Sequence, residues 1–161
     1  MGKKTLVAYF SANGGTTKAT AETVARLCGA DLFAIEPAEP YTAADLDWTD
    51  KNSRTTREMN DPASRPAIAG TVPGMDAYEV VFAGFPIWWY VAPRIVDTFL
   101  ESYDFAGKTV VPFCTSGGSD TGKTDEILHA LCPDTVSWRP AKLLNGMSEQ
   151  QIADWIEGLA L

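Results

Sequence analysis

Short apolar runs alternate with helix-like patterns along most of this chain. Four of the runs have the length and composition of buried strands. They cover residues 6–10, 32–35, 80–85 and 109–114. A fifth and shorter strand is predicted near residues 135–138. The pattern therefore predicts five strands separated by longer segments.

The longer segments carry apolar residues at helical spacing. The first helix is predicted to begin near Thr17 and to end at Gly29, because glycine commonly closes helices. Pro93 suits the first turn of another helix, and Ser148 with Gln151 forms a capping box at the start of the last one. Strands that alternate with helices predict a doubly wound α/β fold, in which a five-stranded parallel sheet has helices on both faces.

Residues 37 to 75 interrupt the alternation with a polar segment that is rich in aspartate and proline. One short helix is predicted in it, around residues 53–60. A segment of this length between two regular elements is usually functional or mobile.

The loop after the first strand has the composition of an anion-binding site. Its glycines let backbone N–H groups approach a ligand closely, its hydroxyl groups add donors, and the following helix offers the partial positive charge of its N-terminus. We predict that this loop binds a phosphate. The predicted contacts are Ser11, Asn13, Gly14, Gly15, Thr16 and Thr17. The simpler interpretation is a strand-to-helix turn with an N-cap.

Two further loops also follow strands. An aromatic loop comprises Pro86, Ile87, Trp88, Trp89 and Tyr90, and a loop of small residues comprises Thr115, Ser116, Gly117 and Gly118. Parallel α/β sheets bind ligands outside the carboxyl ends of their strands, so one ligand is expected to touch all three loops. A planar, phosphorylated ring system fits such a site, and FMN meets each requirement. The tryptophans could instead be core or interface aromatics.

Composition limits the partners. The formal net charge of −8 opposes binding to nucleic acid or to an anionic membrane, and it favours a basic surface on any partner protein. The three cysteines form no CxxC pair and no ligand cluster with the single histidine, which favours a reducing compartment. No signal-peptide core follows the start of the chain. We expect one cytoplasmic domain formed by all 161 residues.

Several motifs together carry a family resemblance. They are Ala8-Tyr9-Phe10-Ser11, Gly84-Phe85-Pro86-Ile87-Trp88-Trp89, Ala92-Pro93-Arg94, Thr98-Phe99-Leu100-Glu101-Ser102-Tyr103 and the run from Pro112 to Ser119. The sequence resembles the flavodoxin superfamily, particularly flavodoxin-like proteins with a Pro-Ile-Trp-Trp loop. The resemblance implies the strand order 2-1-3-4-5, FMN held by the three loops, and low-potential electron transfer with no side chain acting as acid or base. Many relatives have glycine where Tyr90 stands here.

Three alternatives stay open. The chain could be an FMN-dependent oxidoreductase that passes electrons from NAD(P)H to a quinone-type acceptor, with Trp88, Trp89 and residues 37 to 75 shaping a substrate pocket. The run Gly117–Thr124 matches the P-loop pattern G-x-x-x-x-G-K-[ST], which alone would indicate an NTPase. A flavin-free interaction module would use the aromatic loop as a contact surface.

Overall fold

A parallel sheet forms the centre of the computed structural model, which describes residues 4–12, 15–116 and 120–161. The strands are β1 (Thr5–Tyr9), β2 (Asp31–Ala34), β3 (Glu36–Pro37), β4 (Ile68–Ala69), β5 (Val80–Pro86), β6 (Thr109–Thr115), β7 (Ser137–Trp138) and β8 (Lys142–Leu143). The helices are α1 (Thr16–Cys28), α2 (Arg54–Asn60), α3 (Arg94–Glu101), α4 (Thr124–His129) and α5 (Glu149–Gly158), and a 3₁₀ turn covers Met75–Ala77.

The main sheet has the order β2-β1-β5-β6-β7, and every pair in it is parallel. This order is the predicted 2-1-3-4-5, so the doubly wound arrangement is confirmed. The predicted fifth strand differs in detail, because two short strands, β7 and β8, both pair with β6. Pro140 lies between them and has no N–H to donate, and the N–H of Ala141 donates instead to Asp125 Oδ1 at 3.0 Å.

Alternate residues of the strands point to opposite faces of the sheet, and a helical layer covers each face. In β1, Val7 and Tyr9 pack in the core beneath α1 and α5, whereas Leu6 and Ala8 pack in the core beneath α3 and α4. The helices therefore lie on both faces, as predicted. The long apolar runs of β5 and β6 follow from this arrangement, since both of their faces are buried.

The helix ends follow the local signals in the sequence. Gly29 ends α1 in the left-handed conformation, with φ at 63°. Ser148 and Gln151 form the predicted capping box of α5, and the Ser53 side chain caps α2 by accepting from the Thr56 N–H. These caps fix where each helix begins and hence where the preceding loop must end.

The 37–75 segment contains more regular structure than the single predicted helix. Besides α2, it includes the antiparallel pair β3 and β4. Arg94 of α3 is buried and donates to the Met59 carbonyl at 3.0 Å, which fastens the end of α2 to the main body of the fold. None of the helices in the described ranges is long and apolar enough to cross a membrane.

Candidate functional site

A cleft of about 730 Å³ lies at the carboxyl ends of β1, β5 and β6. Its lining residues are Ser11, Ala12, Gly15, Thr16, Thr17, Leu46, Trp48, Thr55, Pro86, Ile87, Trp88, Trp89, Thr115, Ser116 and Asn145. The volume falls within the range of about 300–1,000 Å³ that is usual for small-molecule sites. Because the strands are parallel, the loops after all three meet at this edge of the sheet, as the sequence pattern predicts.

The cleft brings together most of the predicted contact residues. Those that line it are Ser11, Gly15, Thr16, Thr17, Pro86, Ile87, Trp88, Trp89, Thr115 and Ser116. Tyr90 is not among the lining residues, and its side chain is exposed. Asn13, Gly14, Gly117 and Gly118 lie outside the described residues.

Five lining residues were not identified from the sequence: Ala12, Leu46, Trp48, Thr55 and Asn145. Ala12 is part of the first loop, but it has no donor side chain. Leu46, Trp48 and Thr55 come from the 37–75 segment, which therefore supplies one wall of the cleft. A tryptophan in an otherwise polar, acidic stretch was the signal that could have indicated this wall. Asn145 follows β8, a strand that the sequence pattern did not predict.

The first turn of α1 places backbone N–H groups at the cleft floor. Gly15 is the N-cap and provides no side-chain cap, and the first turn contains no acidic residue. The earliest N–H groups of any helix have no carbonyl partner within it, so those at the start of α1 are available to a ligand. The Ser11 hydroxyl accepts from the Gly15 N–H at 3.2 Å, which holds the loop against this turn. The arrangement suits an anion.

A pair of buried hydroxyls joins the first and third loops. Thr17 Oγ1 and Thr115 Oγ1 are 2.6 Å apart, and both residues are buried. Two hydroxyls carry two protons, and their mutual hydrogen bond uses only one of them. The second proton is left to donate to another group, and both residues line the cleft. This pair therefore presents one O–H donor that is fixed in place by its own partner.

The end of the third loop is held by a side-chain amide. Asn145 Oδ1 accepts from the Ser116 N–H at 2.7 Å, and its Nδ2 donates back to the Ser116 carbonyl. The Ile87 N–H donates to the Thr115 carbonyl at 2.8 Å, so the aromatic loop is tied to the same segment. These contacts fix the backbone of two loops relative to each other and explain why a residue beyond β8 belongs to the site.

The aromatic loop makes a tight two-residue turn. Trp88 and Val91 exchange backbone hydrogen bonds of 2.9 and 3.1 Å, and between them Trp89 and Tyr90 have φ angles of 50° and 66°. Positive φ at both central positions is the geometry of a type I′ turn, which favours glycine and asparagine. The turn directs the Trp89 side chain to the cleft and leaves Tyr90 outside it.

Trp88 has a structural role besides lining the cleft. It forms edge-to-face contacts with Phe10 and Tyr41, with ring centroids 5.6 and 5.7 Å away. Tyr41 also contacts Phe10 at 5.8 Å, so three elements of the chain meet in one aromatic cluster. Both interpretations of Trp88, as a packing residue and as a site residue, are therefore compatible with its position.

Tyr41 links this cluster to α2. Its hydroxyl donates to Glu58 Oε1 at 2.6 Å, and the Arg54 guanidinium lies 3.9 Å from the centre of its ring. Arg54 also donates to Glu58 Oε2 at 2.9 Å. Burial, followed by the hydrogen bond to the Glu58 carboxylate, raises the pKa of Tyr41 well above its usual range. The phenol therefore stays protonated and keeps the wall of the cleft fastened to the aromatic loop.

The P-loop-like run is described from Asp120 onward, and two of its donors there already have acceptors within the run. The Gly122 N–H donates to Asp120 Oδ1 at 2.9 Å. The Thr124 hydroxyl is buried and donates to the Thr121 carbonyl at 2.5 Å. In a P-loop the backbone N–H groups bind phosphate and this hydroxyl binds Mg²⁺. Gly122 also lies directly against Tyr90, so this geometry does not support the NTPase interpretation.

Charged side chains are absent from the cleft lining in the part of the chain that the structure describes. The floor consists of hydroxyl, amide and backbone groups, and the walls consist of Leu46, Ile87 and three tryptophans. Among those same residues no group of histidine, cysteine and carboxylate side chains is placed to hold a metal ion. The site can therefore hold a molecule that has both an anionic end and a flat apolar body, using neutral donors alone.

Comparisons with known proteins agree with this architecture. A presumed flavoprotein from Bacteroides eggerthii DSM 20697 is 49% identical, with 99% of each chain covered and a TM-score of 0.93. Another, from Bacteroides uniformis ATCC 8492, is 48% identical, with 98% of this chain and 99% of that chain covered and a TM-score of 0.90.

A more distant structure shares the fold. The flavoprotein from Lactobacillus acidophilus NCFM, solved in complex with FMN, is 21% identical over 93% of this chain and 99% of that chain, with a TM-score of 0.70. A search of curated proteins returned no match. The flavodoxin family model matches residues 4–159, and the chain therefore belongs to the flavodoxin family.

Proposed function

We propose that this protein binds FMN in the cleft and works as an electron-transfer protein. The observation that carries the proposal is the floor of the cleft, where the uncapped start of α1 and the Thr17–Thr115 hydroxyl pair face one space. The FMN complex of the Lactobacillus acidophilus flavoprotein supports the choice of FMN among flavins.

The donor set fits the two ends of FMN. The backbone N–H groups at the start of α1 and the hydroxyls of Ser11, Thr16 and Thr17 would hold the phosphate. Trp88 and Trp89 would contact the isoalloxazine ring, since both line the same cleft. When bound, FMN supplies the electron-transfer chemistry, and the protein supplies binding, orientation and electrostatics.

The residues of the chain would also set the electrostatics of the flavin. No cationic side chain lines the cleft within the described ranges, so the phosphate charge is held by neutral donors and is not cancelled. The protein carries a formal net charge of −8. A negative surrounding potential disfavours the addition of electrons to the ring, which would lower its reduction potential. These charges favour a bound flavin that donates electrons at a low reduction potential.

Reconstitution with FMN tests the proposal. We expect one FMN per chain, with the flavin fluorescence changed on binding, and a midpoint potential below that of free FMN. Failure to retain FMN after gel filtration, or a potential equal to that of free FMN, would contradict it. The acidic surface is expected to pair with a basic redox partner, so electron exchange with that partner should weaken as salt rises. We also expect a cytoplasmic location, since the described cysteines are free.

An FMN-dependent oxidoreductase is the second candidate. It is favoured by the wall from the 37–75 segment, because Leu46 and Trp48 extend the cleft beyond the three loops that a bound flavin would touch. Anaerobic mixing of the FMN-loaded protein with NADH or NADPH separates the candidates. Rapid, complete bleaching by either nucleotide alone favours the oxidoreductase acting on a quinone-type acceptor. A requirement for a separate reductase favours the carrier.

A further inference from the structure

Trp48 combines two properties that are unusual together. Its side chain lines the cleft, yet the residue is 73% exposed. Trp89 also lines the cleft and is 43% exposed. When a flat apolar molecule covers an exposed aromatic side chain, the apolar surface that both remove from water stabilises the complex. The mouth of the cleft therefore has more aromatic surface than its own packing uses.

The turn that carries Trp48 is firmly built. Thr42 and Asp45 form reciprocal hydrogen bonds, with the Thr42 N–H donating to Asp45 Oδ2 at 2.9 Å and the Asp45 N–H donating to Thr42 Oγ1 at 3.1 Å. Asp47 Oδ1 accepts from both the N–H and the hydroxyl of Thr49, at 3.0 and 2.5 Å. Trp48 lies between these two bonded residues. Its exposure is thus a property of an ordered turn.

The same turn is negatively charged. Hydrogen bonds from Thr42 hold the pKa of Asp45 below its usual range, and those from Thr49 do the same for Asp47. Both carboxylates are therefore ionised at neutral pH. Arg54 and Arg57 of α2 act on Asp45 and offset its charge, so the carboxylate that bears on Trp48 is that of its neighbour Asp47. An anionic molecule approaching Trp48 meets repulsion from Asp47, whereas a neutral or cationic one does not.

We propose that Trp48 determines which electron acceptor the cleft takes: flat aromatic acceptors that are neutral or cationic bind there, and anionic ones are rejected. The inference rests on the proposed FMN binding, and it names the acceptor class for the oxidoreductase candidate. With a quinone as acceptor, bound FMN in its fully reduced, neutral form would supply two electrons and two protons. The quinone ring would accept the electrons and its two carbonyl oxygens the protons, which would give the hydroquinone and oxidised FMN.

The test uses the FMN-loaded protein, reduced without oxygen and mixed in a stopped-flow instrument with 2-methyl-1,4-naphthoquinone. Reoxidation by a bound acceptor saturates as the quinone concentration rises. Trp48→Ala should raise the half-saturating concentration about tenfold, which corresponds to ~1.4 kcal/mol of binding. Trp48→Phe keeps a flat ring and should raise it much less. Leu32→Ala is the matched control, because Leu32 is an exposed apolar residue that does not line the cleft.

Charge selection is tested with a naphthoquinone that carries a sulfonate group. We expect it to react more slowly than the neutral quinone with the wild type, and the gap should narrow as salt rises. Asp47→Asn keeps the acceptor oxygen but loses the charge. It should therefore reduce the ratio of the neutral quinone's rate to the sulfonated quinone's rate by about threefold at low salt. An unchanged gap would count against the charge part of the proposal.

Three outcomes overturn the assignment of Trp48. The rate could fail to saturate, the half-saturating concentration could be the same in Trp48→Ala, or Trp48→Ala could weaken FMN binding about tenfold, which would make Trp48 a flavin contact. Failure of the proposed function would look different, because the wild-type protein itself would then retain no FMN.

Discussion

Thr17 Oγ1 and Thr115 Oγ1 lie 2.6 Å apart although the two residues are 98 positions apart in the sequence. The bond joins the first turn of α1 to the last residue of β6, and both side chains are buried at the cleft floor. It therefore couples the first and third loops, which both line the cleft. Because one proton of the pair is left over, the same contact serves both the fold and the site.

Single and double substitutions separate these two roles. Thr115→Val should cost ~1–3 kcal/mol of unfolding free energy, since it leaves the buried Thr17 hydroxyl without a partner. Thr17→Val combined with Thr115→Val should recover most of that loss, because neither polar group remains. FMN affinity should stay about tenfold weaker in the double variant. Urea unfolding and flavin fluorescence titration measure the two quantities. Thr115→Ser is the control that should retain both, and equal FMN affinity in all variants would contradict the assigned donor.

Gly84 of β5 lies directly against a side chain of β6. A Cβ at this position would lie 2.3 Å from the Phe113 ring, which is fully buried. Gly84→Ala should therefore destabilise the protein by about 1–3 kcal/mol through overpacking. Combining it with Phe113→Leu should cost less than the sum of the two single changes, because the smaller side chain makes room for the methyl group. Strict additivity in chemical denaturation would show that the two residues do not meet.

Gly122 lies directly against the backbone of the aromatic loop at Tyr90. A Cβ there would lie 2.3 Å from the Tyr90 carbonyl oxygen, and its φ is +50°. Gly122→Ala should lower stability and also displace the Trp89–Tyr90 turn, which would weaken FMN binding several-fold. Gly107→Ala is the matched control, because Gly107 also has a positive φ, +78°, but has open space around it. It should cost about 1–2 kcal/mol of stability and leave FMN affinity unchanged. Equal effects of both variants on FMN would refute the contact.

Asp97 is predicted to give stability an unusual dependence on pH. Its side chain is buried, and Oδ1 has no hydrogen-bond partner among the described residues. Burial raises the pKa of Asp97 to about 6, although Arg94 at 3.6 Å and Arg65 at 3.9 Å act to lower it. The folded protein therefore holds this proton at a pH where the unfolded chain, with the ordinary value of 3.8, has lost it.

The sign follows from proton binding. As pH rises from about 4 to about 7, the folded state must give up a proton that the unfolded state no longer carries, so unfolding becomes easier. The contribution amounts to roughly 3 kcal/mol over this window. Asp97→Asn should remove this slope from the stability profile, whereas Asp134→Asn, at an exposed site, should not. Identical pH profiles of the wild type and Asp97→Asn would contradict the prediction.

Local patterns were enough to predict the fold class, whereas the strand order 2-1-3-4-5 was implied by the family resemblance. Alternating strand and helix signals, Gly29 and the Ser148–Gln151 capping box act within a few residues of where they lie, so they could be identified from the sequence. The division of the fifth strand into β7 and β8 was not predicted. It depends on Pro140, which has no N–H to donate, and on Asp125 of α4, whose carboxylate accepts a hydrogen bond from the Ala141 N–H.

Long-range contacts explain what the sequence could not predict in the site. Trp48 lies at the cleft because two contacts hold its segment against the rest of the fold. Arg94 donates to the Met59 carbonyl, and the Tyr41 ring packs against Trp88. Asn145 is part of the site because its side chain accepts a hydrogen bond from the Ser116 N–H, 29 positions earlier in the sequence. Tyr90 was predicted as a contact as part of the aromatic loop, but the dihedral angles of the turn leave it outside the cleft.

The comparison of FMN with riboflavin tests the central claim most directly, because the two ligands differ only in the phosphate. The account predicts that one FMN binds per chain, at least about tenfold more tightly than riboflavin, a difference of ~1.4 kcal/mol. It also predicts that high salt will not abolish this preference, since neutral donors hold the phosphate. Equal affinity for the two flavins in equilibrium fluorescence titrations, or no binding of either, would contradict an FMN site built on the start of α1.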